Sequence, residues 1–173
     1  HHSDTPTGGS GGGAHGTRVD LARALIAAVE AWRSQAGSRP RLVLPLALGW
    51  EGSLSIAAEL AHPASSAVRA ALRHAACHGA FITAAAGNDT APGAAGPMYP
   101  AALEADPAPG HAVCDALLQE IGQDPSSYPF DPLPDPSAPP APLVLSAGGL
   151  DHADRPIPVT RPASLTALAA LAL

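Results

Sequence analysis

The sequence predicts an α/β domain on a mainly parallel sheet, and three observations lead there. Helix-like and strand-like stretches alternate along the chain, the order that βαβ units produce. The strand-like stretches are unbroken apolar runs such as "RLVLPLALG" and "AFITAAAG", as expected for strands covered on both faces. Each run also ends in glycine and small residues, in "LGWEG", "AAGND" and "AGGLD". Ligands of open parallel sheets bind beyond the carboxyl ends of the strands, and glycine there lets a substrate backbone approach closely.

The elements follow in order. Residues 1–17 form a flexible Gly/Ser-rich leader, because such a composition cannot offset its ordering entropy without a core. The α/β domain is expected over 18–173. "DLARALIAAVEAWRSQAG" reads as a helix over 20–36, with Asp20 as its cap, Leu21, Leu25, Val29 and Trp32 on one face, and Gly37 as its stop. A strand follows over 41–48, made irregular by Pro45, which has no ladder donor to give. "SSAVRAALRHAACHG" is a helix over 65–78 capped by Ser65 or Ser66 and ended by Gly79. Strands are expected again over 80–86 and 143–148. Between them lies a Pro-rich insertion at about 102–142, with a short helix near "AVCDALLQEIG". So long an excursion is unusual unless it is functional or mobile, and it could contact a protein partner. The tail "ASLTALAALAL" can be helical but carries little polar face.

Composition narrows the functional classes. The net charge is −6, and all nine basic residues are scattered arginines, which do not form the stripe a nucleic-acid binder needs. Aromatics make up 3%, too few for base stacking. No apolar run approaches the roughly 18 residues of a membrane span, and no signal peptide is visible, so a soluble chain is expected. The eight histidines read as dispersed, without an HExxH motif or a similar pair on one helical face, so no metal and no cofactor are expected. Cys77 and Cys114 either pair or stay free; sequence alone does not decide.

Four short motifs carry a family resemblance. They are Ala47-Leu48-Gly49, Ala85-Ala86-Gly87-Asn88, Tyr99-Pro100-Ala101 and Ser146-Ala147-Gly148-Gly149-Leu150-Asp151, in that order, with a helix between the first two and the insertion between the last two. Over roughly residues 18–155 the chain resembles the middle of the subtilisin-like serine peptidases. The resemblance implies an incomplete three-layer fold with helices on both faces of the sheet. It also implies peptide-bond hydrolysis on a peptide or protein substrate. Asn88 would donate its side-chain amide to the oxyanion, a contribution of about 2.7–4 kcal/mol in such enzymes. Ala47, Leu48 and Gly49 would pair with the substrate backbone. Ala85, Ala86 and Gly87 would wall the side-chain pocket, with Gly148 nearby. Gly87-Asn88 is also a common turn dipeptide.

The catalytic triad does not follow from this sequence. The family's Gly-Thr-Ser-x-Ala serine motif is absent, and Ser164 in "RPASLTALAALA" lacks the glycine of that turn. Asp4 has no apolar strand around it. His15, in "AHGTRVD", either matches the family's His-Gly-Thr motif and is the general base, or is a coincidence of a glycine-rich leader. Two functional classes therefore stand: a serine endopeptidase domain without its nucleophile, and a degenerate, non-catalytic peptide-binding or scaffold module. A nucleotide-binding domain is disfavoured, because neither glycine-rich phosphate fingerprint is present.

Overall fold

Helix α1 (Arg18–Arg33) begins at a capping box. The Thr17 hydroxyl accepts the Asp20 N–H, and the Asp20 carboxylate accepts from the Thr17 backbone and hydroxyl. The cap is therefore Thr17, and Asp20, expected in that role, is its reciprocal partner three residues on. The computed structural model describes residues 16–35, 40–52, 55–87, 98–124, 141–150, 152–153 and 168–171. Gly37, the expected stop, lies outside them; the helix ends at Ser34.

The remaining elements are β1 (Val43–Leu46), α2 (Ile56–Leu60), α3 (Pro63–Cys77), β2 (Phe81–Ala85), a short 3-10 helix (Ala101–Ala105), α4 (His111–Glu120), β3 (Leu145–Leu150) and β4 (Leu168–Leu171). α3 starts earlier than Ser65 or Ser66: His62 is its cap and Pro63 its first residue, where proline's missing donor costs nothing. Its end is as expected, since Gly79 takes φ +76° and reverses the chain. The tail, read as able to form a helix, contributes strand β4 instead.

All four described strands are parallel, in the order β1-β2-β3-β4. The α/β class with a parallel sheet is thus observed. β1 pairs with β2 and with no other described strand, and Pro45 is exposed there, so an edge position accommodates the residue that a central strand would reject. Register aligns Leu46, Ala84 and Ser146 across three strands. On this face Leu44, Leu46, Ile82 and Ala84 join Leu25 and Val29 of α1 and Val68, Leu72 and Ala75 of α3 in the core.

The opposite face is different. Val43 is 54% exposed and Phe81 40%, so among the described residues the helices cover one face only. The expected second helical layer is not found among them. Burial accordingly alternates along β1 and β2 although both sequences are continuously apolar.

The described part of the insertion, and Ala101 just before it, are fastened to the core. Ala101 and Leu103 are buried in it, Arg69 of α3 grips Asp106 through two hydrogen bonds of 2.6 and 2.8 Å, and Cys77 is bonded to Cys114 with Cα atoms 5.3 Å apart. The bridge left open by the sequence is formed. Residues 125–140 of the insertion lie outside the described residues.

Candidate functional site

Parallel pairing brings the carboxyl ends of β1, β2 and β3 to one edge of the sheet. Ala47, Leu48 and Gly49 follow β1, and all three are exposed. Ala85 ends β2, and the buried Ala86 and half-buried Gly87 follow it. Gly148 lies in β3 beside β4, paired with Ala169. The Ala86 N–H donates to the Ala147 carbonyl at 2.9 Å, extending the β2–β3 ladder by one step. Ala47, Leu48, Gly49, Ala85, Ala86, Gly87 and Gly148 therefore share the strand-end edge. Asn88, His15, Asp4, Ser164 and Asp151 fall outside the described residues.

The turn at Tyr99-Pro100-Ala101, with Met98 before it, closes this edge. The Met98 N–H donates to the Ala86 carbonyl at 2.8 Å. Tyr99 and Trp50 exchange backbone hydrogen bonds of 2.8 and 3.0 Å as an antiparallel bridge. The Tyr99–Pro100 peptide is cis. Met98 is thereby stitched between the ends of β1 and β2. A methyl group on Gly49 would come 3.3 Å from the Met98 Cβ, and one on Gly87 would come 2.5 Å from its sulfur. Gly87 also holds φ +102°, which disfavours any side chain. Gly87 thus makes room for Met98, and Gly49 for Met98 and the Tyr99 carbonyl, so Met98 packs against both strand ends. "GPMYPAA" marks the turn, but nothing local in it says that its methionine meets two glycines.

Behind this turn lies a buried carboxylate. Glu59 of α2 is 4% exposed, and its Oε1 accepts from Arg18 Nη1 at 3.0 Å, Trp50 Nε1 at 2.9 Å and Ser65 Oγ at 2.5 Å. Arg18 also donates to Ser65 Oγ at 2.7 Å and sits 5.3 Å from the centre of the Trp50 ring. Trp50 in turn stacks on Tyr99 at 6.0 Å. Burial pushes the Tyr99 phenol up, and the nearby Glu59 charge adds to this. Sequence periodicity could not find Glu59, because its partners come from α1, the loop after β1, and α3. Arg18 is three residues beyond His15, so the start of α1 is tied to the same corner.

A second buried carboxylate supports β3. Glu104 accepts from Ser146 Oγ at 2.7 Å and from Ser146 N–H at 3.3 Å. Both residues are buried, which makes this pair a fastening of the strand rather than a reactive couple.

Two histidines correct the sequence reading. His74 and His78 are one turn apart at the end of α3, with ring centroids 4.7 Å apart; they form the i, i+4 pair that the sequence reading did not recognise in "HAACH". Among the described residues no group of three or more His, Cys, Asp or Glu is placed to hold a metal ion, and no helix is long and apolar enough to cross a membrane.

Comparison with known proteins adds no assignment: no family model, curated protein or solved structure matches this chain.

Proposed function

We propose that the chain carries the substrate-binding and oxyanion part of a subtilisin-like serine endopeptidase domain, in an incomplete three-layer fold that lacks a recognisable nucleophilic serine. The observation that supports this reading most is the packing of Met98 against both Gly49 and Gly87 at the joined ends of two parallel strands. An extended peptide would lie along Ala47–Gly49 as an added strand. One of its side chains would enter between Gly49 and the Ala85–Gly87 wall until it met Met98. The Asn88 amide would face the scissile carbonyl.

The test is peptide binding read by backbone NMR. A short extended peptide should shift the amides of Leu48, Gly49 and Gly87 together, and N88A should leave that footprint in place. A fluorophosphonate probe should label no serine, since it needs a hydroxyl activated by a neighbouring base. A footprint elsewhere on the molecule would overturn the reading, and stoichiometric labelling would overturn its account of the catalytic parts.

The alternative is a non-catalytic peptide-binding or scaffold module. It is favoured by the missing Gly-Thr-Ser-x-Ala motif. It predicts the same footprint without turnover of peptide or ester substrates.

A further inference from the structure

The last turn of α3 carries a device separate from the strand-end crevice. His74 and His78 are each 5% exposed and meet edge to face. From α1 they are faced by Glu30, whose carboxylate is 3.7 Å from His74 Nε2, and by Arg33, which donates to both Glu30 oxygens at 3.0 Å. From the segment after α4 they are faced by Gln123, whose amide reaches Glu30 at 3.5 Å. His74 Nε2 is buried without a hydrogen-bond partner. Glu30, the carboxylate among these groups, is itself shared with the Arg33 guanidinium.

Charging such a pair requires water, and one wall is much weaker than the others. The α1–α3 seam holds Leu25, Val29, Val68, Leu72 and Ala75 of the core. α4 buries only Cys114 and Leu118, has no side-chain cap at Gly110, and leaves Val113 40% and Ile121 50% exposed. Few buried apolar contacts mean a low local opening free energy.

We infer that the carboxyl end of α4 is an acid-released latch: protonation of the His74–His78 pair lifts residues 117–123 off α3 and α1, while the Cys77–Cys114 bridge keeps α4 attached. Burial holds both imidazoles below the ordinary 6.5, and His78, beside His74 and Arg33, is pushed down to about 4. A base depressed in the closed state favours closure fully above 6.5, loses that preference as pH falls, and has lost it all below about 4. If the released His78 regains its ordinary value, acid shifts the open–closed ratio by up to about 300-fold.

Hydrogen exchange on the full, oxidised chain tests this, with rates corrected for the intrinsic pH dependence. Between pH 7.5 and 4.5 the amides of residues 118–123 should exchange at least tenfold faster, while those of α1 and α3 stay protected. Histidine NMR should place the His74 and His78 titrations in the same pH window as the α4 opening. In the double variant H74Q/H78Q the acid response of α4 should disappear. Equal loss of protection in α1, α3 and α4 would overturn the latch, as would an acid response retained by the double variant. If that variant does not fold, histidines titrating at 6.5 with α4 still closed would overturn it in the native chain.

Discussion

Removing the Cys77–Cys114 bridge tests how the fold is held, and its size can be worked from the structure. The cross-link spans a sequence separation of 37, and closing a loop of that length in the unfolded chain is worth about 4 kcal/mol in the chain-entropy account. The loop contains β2, the Met98–Pro100 turn and the short 3-10 helix, so it encloses the Ala85–Gly87 side of the candidate site but not Ala47–Gly49 or Gly148. Both cysteines are buried, at 0% and 1% exposure, so alanine replacements leave little new surface. C77A/C114A should therefore lower unfolding stability by about 4 kcal/mol, and the midpoint by roughly 8–16 °C for a chain of this size. Urea denaturation with matched calorimetry measures both. A free-thiol assay on the unreduced, denatured wild type should find no thiol. Two reactive thiols, or a loss below about 1 kcal/mol, would refute the reasoning.

Three further outcomes follow from named contacts. R69A strips the guanidinium from Asp106, which is 7% exposed. A carboxylate left buried without its partner should cost about 2–3 kcal/mol in urea denaturation, below the fully buried range because Arg69 is partly exposed. G87A forces a side chain onto φ +102° and against the Met98 sulfur. It should cost about 1–3 kcal/mol, and the double variant G87A/M98A should recover only the steric share, which a double-mutant cycle isolates. On the proposed function, M98A deepens the crevice and should shift peptide preference from small side chains to larger ones, read as relative affinities across a peptide series.

Local chemistry was legible in this sequence and long-range pairing was not. The apolar stripe Leu25, Val29, Trp32 located α1, and the stripe Val68, Leu72, Ala75 located α3, because helical periodicity repeats within a few residues. Boundaries shifted where two good signals competed, as with Thr17 and Asp20 in one capping box or His62-Pro63 just before Ser65-Ser66. The tail was misread because a short apolar run fits a buried helix and a buried strand equally well. At the candidate site the glycines after β1 and β2 could be read from the chain, as could Gly148. Their neighbour Met98 could not, because only the parallel register places residue 98 against both strand ends. Glu59, Arg18, Ser65 and Trp50 are spread over 48 residues of sequence and meet through tertiary packing alone.

Alanine explains why these polar joints carry so much of the fold. The core between α1, α3 and the sheet includes Ala22, Ala71, Ala75 and Ala84, each of which brings helices or strands close but buries little apolar surface. Only Trp32 and Tyr99 supply buried aromatic area among the described core residues. The large gains from aromatic packing are therefore scarce here. What remains to fix one element against the next are joints of high geometric specificity. Glu59 locks α1, α2, α3 and the loop after β1; Arg69–Asp106 and Cys77–Cys114 lock the insertion to α3; Glu104 locks the 3-10 helix to β3. Charge-assisted bonds of this kind define position better than apolar contact does, and a buried carboxylate tolerates no loss of its donors. Two of the four reach the strand-end edge: Trp50, held by Glu59, follows Gly49, and Ser146, held by Glu104, lies two residues before Gly148. Those two joints, which compensate for a thin core, therefore also hold the strand ends where Gly49, Gly87 and Met98 pack together.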